Sequence, residues 1–504
     1  MKYYITTPIY YINDKPHIGH AYATFVADTF ARYHRLKGAD VFFLTGTDEN
    51  STKNVEAARE KGYSDIQHYL DMQSAEWQTA WKELGITNND FIRTTEERHK
   101  QGVEQFFRLV HEKGDIYKGT YQGLYCTGCE AFLRESDLAD GLCPFHKKKP
   151  ELIEEQNYFF RASKYRAALL EHIEKNSDFI QPVSRRNEIV NYIKDHFEDI
   201  SISREKIEWG IRLPIDDSQV IYVWFDALIN YLTGIGYGWD EKLFARYWPA
   251  DLHIVGKDII KFHCALWPAM LLSAGLQLPR RVFAHGFFTI EGQKVSKSLG
   301  NAIDPVQLCA IYGIDVVRYF LLREIPLGGD GDFSELRLQD RYESELAKGL
   351  GNFTSRVLTL AEKCEATVFE AAAIPAEQEA ARAVADLRYA WENGFEQCVL
   401  HESLAAIHDL IAWADRYIDK TKPWALLKED NKTAVQTLSI LLELLRQASL
   451  FLYPFMPHTA AAIRERLGLS GIAGDGVAWL QWRAERIHSV SKKENLFPPL
   501  APKP

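Results

Sequence analysis

Residues 3–20 read YYITTPIYYINDKPHIGH, and the reading of this stretch decides the fold. Tyr3 to Thr7 is a short apolar and β-branched run, the pattern of a buried strand. A loop rich in Pro, Asn, Asp and Lys follows. From His17 the spacing turns helical: Tyr22, Phe25, Val26, Phe30 and Tyr33 recur on one face, and Gly38 stops the run. Val41 to Leu44 is a second apolar strand. Helices are expected over 51–61, 64–84 and 95–113, followed by Gly62, Gly85 and Gly114 as C-terminal stops. Strand, helix, strand in this order argues for an α/β fold with a parallel sheet of the Rossmann-like kind.

Working outward, the pattern changes near residue 115. A Cys/Gly/Lys-rich segment runs to about 150, and a polar helical stretch runs to about 208. Strand and helix signals then resume. Val220 to Trp224, Leu252 to Val255 and Val282 to Phe288 read as strands, and Asp258 to Ala274 as a helix. This is one α/β domain split by an insertion. From about 340 to 468 nearly everything is helical, as in a separate bundle, and the tail from 485 is Lys/Pro-rich and extended. The expected division is 1–115, 116–218, 219–339, 340–484 and 485–504.

Composition narrows the classes. A chain of 504 residues exceeds one hydrophobic core. No apolar run reaches the roughly 18 residues of a membrane span, and the N-terminus reads as a strand, not a signal peptide. A cytoplasmic location is expected. Seven cysteines, an odd number with three of them between 126 and 143, point to a reducing compartment with one local metal site. The formal charge of −10 argues against a generally basic nucleic-acid surface. Lys147 to Lys149, Arg185-Arg186 and Arg280-Arg281 are local basic patches that also read as solvated surface.

Three clusters carry chemistry. His17-Ile18-Gly19-His20 sits where the first strand turns into a helix, whose free N–H groups and positive dipole end suit phosphates. The two imidazoles, three residues apart, share a face, and Gly19 allows a nucleotide close to the backbone. Alone, the tetrapeptide also fits two partly buried histidines or a metal pair. Lys294-Val295-Ser296-Lys297-Ser298 has two lysines and no carboxylate, which suits a loop that neutralises a polyphosphate; alone it also reads as an exposed loop. No Gly-x-x-x-x-Gly-Lys-Ser/Thr and no Gly-x-Gly-x-x-Gly occurs, so ATP binding rests on these two clusters. Cys126-x-x-Cys129, thirteen residues, then Cys143-x-x-His146 has the spacing of a closed tetrahedral Cys₃His zinc site, structural because no coordination position is left open.

Taken together, the His-x-Gly-His and Lys-x-Ser-Lys-Ser motifs resemble those of the class I aminoacyl-tRNA synthetases. Thr7-Pro8-Ile9-Tyr10-Tyr11, Gly46-Thr47-Asp48-Glu49, Tyr222 to Ala227, Gly256-Lys257-Asp258, and Phe262-His263 before Trp267-Pro268 resemble the methionyl branch in particular, in the family's order, from residue 3 to about 470. The resemblance implies a Rossmann-like catalytic domain split by a zinc-knuckle insertion and followed by an all-α anticodon-binding bundle. It implies ATP-dependent ligation of L-methionine to tRNA(Met), initiator tRNA included, through a methionyl adenylate, with Mg²⁺ accompanying ATP. His17, Gly19, His20, Lys294, Ser296 and Lys297 would hold ATP, with the histidines and lysines as the catalytic set and Lys297 toward the leaving pyrophosphate. Ile9, Tyr11, Trp224, Ala227, Tyr231 and His263 would surround the thioether, whose soft sulfur suits aromatic company. Asp48 would hold the substrate ammonium. Asn352, Arg356 and Trp424 would read the CAU anticodon by hydrogen bonding and stacking. Without the resemblance these three read as a helix cap, a surface arginine and a core tryptophan. The zinc knuckle would support an insertion that reaches the tRNA acceptor end.

Two departures stand out. The family's usual Gly-Thr-Asp-Glu-His-Gly is here Gly46-Thr47-Asp48-Glu49-Asn50-Ser51, which puts local ribose or ATP contacts in question, and Val295 replaces a methionine in the lysine loop. The span 115–220 is too short for the editing insertion of isoleucyl and valyl enzymes, and no cysteine precedes 126 to suit a cysteinyl enzyme. A small-cofactor adenylyltransferase shares the His-x-Gly-His but needs no helical bundle. A catalytically silent RNA-binding relative would not need the histidines and lysines that both motifs retain. With no appended dimerising domain, a monomer is expected.

Overall fold

In the computed structural model, residues 1–126, 131–133, 135–144, 147–205, 207–294, 302–364, 369, 374–472, 476–487 and 489–500 are described. The chain forms two compact units: Lys2–Ala27 with Val41–His285, and Met1 with Asp28–Asp40 and Gly286–Pro504.

In the first unit, β1 (Lys2–Tyr11) leads to α1 (Ile18–Leu36), whose second half belongs to the other unit. Then come β2 (Asp40–Asp48), α2 (Thr52–Glu60), α3 (Ile66–Glu83), β3 (Asp90–Arg93) and α4 (Glu97–Glu112). Glycines 38, 62, 85 and 114 end helices in the left-handed region, with φ of 77°, 82°, 68° and 74°, where the missing Cβ removes the clash. After the insertion, α7 (Val223–Leu228), α8 (Asn230–Thr233), α9 (Glu241–Tyr247), β12 (Leu252–Gly256), α10 (Trp267–Ala274) and β13 (Val282–His285) complete the unit.

The insertion holds β4 (Ile116–Cys126), β5 (Ala131–Leu133), β6 (Glu151–Phe160), α5 (Arg166–Lys175), β7 (Ile180–Gln181), α6 (Val183–His196), β8 (Ile200–Ser201), β9 (Ser203–Arg204), β10 (Arg212–Leu213) and β11 (Asp216–Ile221). A long antiparallel β4–β6 ladder, from Ile116↔Phe160 to Tyr125↔Glu151, is its spine. One strand of this stretch, β7, leaves the insertion and joins the main sheet beside β13.

The main sheet has the order β3-β2-β1-β12-β13-β7. The β1–β12, β12–β13, β13–β7 and β2–β3 pairs are parallel. Parallel strands are covered on both faces, so they read as nearly continuous apolar runs, as β1 and β2 do. The close β2–β3 approach needs Gly46: a Cβ there would lie 2.0 Å from the carbonyl oxygen of Ile92.

Three expectations are corrected. The first strand continues past Pro8 to Tyr11; its ladder to β12 pairs Ile5 and Thr6, ahead of the proline. The run 220–224 is not one strand: β11 ends at Ile221 in a small antiparallel sheet, and Trp224 lies on the short helix α7. The helix expected over 258–274 is π-helical over Phe262–Leu266 before α10 begins.

The second unit opens with β14 (Phe288–Ile290), β15 (Gln293–Lys294), α11 (Pro305–Tyr312), α12 (Ile314–Glu324) and β16 (Gly331–Phe333). The helices α13 (Glu335–Arg341), α14 (Asn352–Glu362), α15 (Pro375–Glu396), α16 (Leu400–Thr421), α17 (Pro423–Glu429), α18 (Asn431–Leu452) and α19 (Pro457–Arg466) follow, with a π-helical stretch over Tyr342–Gly351 just before α14. By length and composition α18 could span a membrane, yet 89% of its apolar window is buried within the fold, as befits a core helix. The tail doubles back along the bundle: Lys492 N–H donates to Glu362, Arg466 donates to the Glu494 carbonyl and Tyr342 to the Pro498 carbonyl.

The second half of α1 is seated in this unit. Tyr33 stacks on Phe395, with centroids 3.8 Å apart. Asp28, fully buried, accepts from Arg32 Nε and Arg318 Nη1, each at 2.7 Å. Arg318 also donates to the carbonyls of Pro454 and Phe455 and to Thr29 Oγ1. Removing one partner of such a pair strands the other charge in a dry site. Asp28→Asn should therefore lower stability by about 3–5 kcal/mol, read as a shifted denaturant midpoint by circular dichroism.

Candidate active site

The strand order places the carboxyl ends of β1, β2 and β12 along one edge, where an open α/β sheet receives its ligand. Tyr11 ends β1, Asp48 ends β2 and Gly256 ends β12.

His17 and His20 stand at the start of α1 with rings stacked, centroids 3.7 Å apart and 23° between planes. Their hydrogen bonds set the tautomers. His17 Nδ1 accepts the Gly19 N–H at 3.1 Å, and His20 Nδ1 accepts the His17 N–H at 3.2 Å. With Nδ1 an acceptor in both, the neutral rings carry their proton on Nε2 and are donors there. At Gly19 a Cβ would meet the His17 ring at 3.0–3.1 Å, so its smallness also makes room for that imidazole. Behind the pair, Trp77 lies 5.0 Å from His20 and 5.3 Å from Tyr10, and donates its Nε1 proton to the Asp14 carbonyl at 2.8 Å. This fixes the loop leading to His17.

Of the expected thioether residues, Trp224, Tyr231 and His263 are brought together. The His263 ring lies 6.3 Å from Trp224 and 5.7 Å from Tyr231, and Ile9, Trp224 and Phe262 pack against the core that contains Phe225, Leu228 and Tyr231. Trp224 and Phe262 lie face to face, 3.9 Å and 3° apart. The π-helical turn aims both Phe262 and His263, a use such turns often have at functional sites. His263 Nδ1 lies 3.0 Å from the Ile259 carbonyl, to which it must donate, so Nε2 accepts the Tyr231 hydroxyl at 2.7 Å. Tyr4 donates to the Tyr231 carbonyl, and Thr6 bonds His253 Nδ1, each at 2.7 Å. The Tyr231 hydroxyl and both His263 nitrogens are thereby satisfied, while Trp224 Nε1 and His253 Nε2 are buried without a hydrogen-bond partner among the described residues. Tyr11 carries Lys53 over its ring at 4.6 Å.

Asp48 is buried, with the Asn50 N–H 3.3 Å from Oδ1 and Asn54 donating to its carbonyl at 2.8 Å. Lys294 ends β15, paired to Thr289 in the second unit. Ser296 and Lys297 lie outside the described residues, as do Cys129 and His146. Cys126 at the end of β4 and Cys143 are both buried, and Cys143 opens a tight turn closed by the Lys147 N–H on its carbonyl at 2.8 Å. Among the described residues no group of three metal-ligating side chains gathers.

In the second unit, Asn352 is exposed at the start of α14. One turn on, Arg356 is clasped by Asp415 and Asp419 of α16, each at 2.8 Å. Trp424, just after Pro423 at the start of α17, is 46% exposed, unlike a core tryptophan. Asp419 is close to the end of α16 and α17 follows directly, so the three residues gather at one end of the bundle. Of the basic patches, Lys147 to Lys149 are exposed, while Arg185, Arg280 and Arg281 pair with Glu188, Asp251 and Asp178.

The sequence reading missed Phe262, His253, Trp77 and the Asn50 side-chain contacts. Phe262 alone had a local signal, its place beside His263 in a quoted motif.

A family model of class I tRNA synthetases of the M type matches residues 3–149 and 133–358, and a model of the anticodon binding domain of methionyl tRNA ligase matches 369–497. The chain belongs to the methionyl-tRNA synthetase family. A methionine–tRNA ligase of Thermotoga maritima is 46% identical over 477 residues, 93% of this chain and 75% of the relative. One of Streptomyces coelicolor is 40% identical over 530 residues, 100% of this chain and 97% of the relative. The Mycobacterium tuberculosis methionyl-tRNA synthetase solved in complex with methionyl-adenylate superposes with a TM-score of 0.94 at 39% identity, covering 99% of this chain and 100% of that one. As a methionyl-tRNA synthetase, the chain uses ATP to ligate methionine to tRNA(Met) through a methionyl adenylate, releasing pyrophosphate and AMP.

Burial holds His263 neutral down to about 4 and His99 down to about 3, and pushes His253 well down. In the unfolded chain each ring protonates near 6.5. Their stabilisation is thus complete above about pH 6.5 and lost as pH falls toward 4, at about 1.4 kcal/mol per pH unit and ring. Denaturation at pH 7.5 and 5 should show the loss, and His99→Gln should flatten the slope by one ring's share.

Proposed function

We propose that the side chains divide the activation step between an uncharged donor pair, one carboxylate and an apolar slot. The carrying observation is the paired Nδ1 contacts of His17 and His20 at a helix start, which put both ring protons on Nε2. These donors, with Lys294, Ser296 and Lys297, hold the phosphates of ATP as the methionine carboxylate attacks the α-phosphorus and pyrophosphate leaves. Donors set in place before the reaction stabilise the charge that develops. Gly19 contributes by seating the His17 ring. Mg²⁺ accompanies the nucleotide and neutralises part of its charge. Asp48 takes the substrate ammonium, and Ile9, Tyr11, Trp224, Ala227, Tyr231 and His263 enclose the thioether.

Cys126, Cys129, Cys143 and His146 hold one structural zinc; the buried thiols of Cys126 and Cys143 and the tight turn after Cys143 support this donor set. The metal ties the tip of the β4–β6 insertion. Asn352, Arg356 and Trp424 read the CAU anticodon of elongator and initiator tRNA. The exposure of Asn352 and Trp424 supports stacking and edge contacts there. The five-part division along the chain, a cytoplasmic location and a monomeric state belong to the same reading.

ATP–pyrophosphate exchange without tRNA, with each of the twenty amino acids offered in turn, tests the pocket. Methionine alone should support exchange; support by another amino acid would overturn the pocket assignment. His20→Ala should lower kcat for exchange by about 10²–10³-fold with little change in the KM for methionine. Elemental analysis should find one zinc per chain, lost in Cys143→Ser.

A further inference from the structure

The turn after β2, Asp48-Glu49-Asn50-Ser51, contains a side chain that the reading above leaves idle. Asn50 is 7% exposed. Its backbone N–H reaches Asp48 Oδ1 at 3.3 Å, and its side-chain amide donates to Asp226 Oδ2 at 2.9 Å and to the Thr94 carbonyl at 3.4 Å. One neutral residue therefore engages two buried carboxylates, one at the end of β2 and one on α7. Asp226 is fully buried.

The other carboxylate of the turn is already committed. Glu49 accepts from Arg93 at 2.7 and 3.0 Å and from Thr47 at 2.8 Å, and its N–H donates to Thr94 Oγ1 at 2.8 Å. Trp209 donates to its carbonyl at 2.9 Å. The turn is thus fixed on every side, and Asn50 is its link to α7. Two carboxylates in a dry site raise each other's energy and compete for one cation. An amide between them relieves this without adding charge.

We propose that Asn50 is the positioning residue for the amino end of methionine: its side chain engages Asp226, and its N–H aims the Asp48 carboxylate. Asp48 is then the carboxylate that receives the ammonium. Asp226 lies two residues after Trp224 and next to Ala227, so the same bond sets the distance between the ammonium grip and the thioether wall. This proposal rests on the assignment of Asp48 to the ammonium.

The test compares Kd for methionine with Kd for 4-(methylthio)butanoate, the same molecule without its amino group, by calorimetry on the full chain. Asn50→Leu keeps the size and removes the donor. It should weaken methionine about tenfold and leave the desamino acid unchanged, with KM for ATP unmoved in exchange. Asn50→Asp, which adds a third charge beside the two carboxylates, should weaken methionine further. Asn50→His, which keeps an N–H donor, should recover most of the loss. Thermal melts identify any variant that fails to fold, and Asn50→Asp and Asn50→His then carry the comparison. Equal weakening of both ligands, or of neither, would overturn the proposal. Asp48→Asn separates it from its premise. If that change leaves methionine binding intact, the Asp48 assignment fails. If it weakens methionine while Asn50→Leu does not, only the role of Asn50 fails.

Discussion

The parallel pairing of β1 with β12, with β2 on the other side of β1, is the constraint on which the rest of the first unit depends. Side-by-side parallel strands send their outgoing loops to the same edge. Because β1 is neighboured by an early strand and a late one, residues far apart in the chain leave the sheet together: Tyr11 and His17 after β1, Asp48 after β2, Lys257 and Asp258 after β12. Gly46 lets β2 approach β3, and Gly256 makes room for the Asp258 carboxylate, which a Cβ would meet at 2.5 Å. Chemistry placed at this edge is held by backbone that cannot drift.

Much of this was legible in the sequence, for local reasons. Helix stops at Gly38, Gly62, Gly85 and Gly114 follow from the absence of a Cβ. The histidine motif falls at a strand-to-helix turn because apolar spacing changes there from two to 3.6. What failed to be legible depends on partners. The run to Thr7 reads as the whole first strand, yet the strand continues through Pro8 to Tyr11. Trp224 reads as strand because Val220 to Trp224 is β-prone, yet the chain turns after Ile221 into a helix that packs on the core. The π-helical turn at Phe262 has no local signature. The face-to-face Trp224–Phe262 pair joins residues 38 apart, and the Asn50–Asp226 bond joins residues 176 apart. Gly19 has a neighbour that spacing alone does not show, its own motif's first histidine.

The second unit answers a separate question, how charge is kept inside a helical core. Arg446 and Arg464, both fully buried, share Glu485, and Arg446 also pairs with Glu443 at 2.7 Å. Arg483 and Glu377 do the same one layer out, at 2.8 Å. Arg446 also donates to the carbonyls of Trp479 and Gln481, and Arg464 to that of Ser470, so these stretches are held by polar contacts. The Arg356 clasp is of a different kind: it is partly exposed, and it sits where one end of the bundle also presents Asn352 and Trp424.

The ring contacts of His17 and His20 bear on how the reaction handles protons. Each ring has already given its one basic nitrogen to a backbone amide. Neither is left with a lone pair to accept a proton from substrate. The methionine carboxylate needs none removed, since it attacks as the anion. In the proposed activation step the motif's part is thus electrostatic: it offers donors to charge and moves no proton.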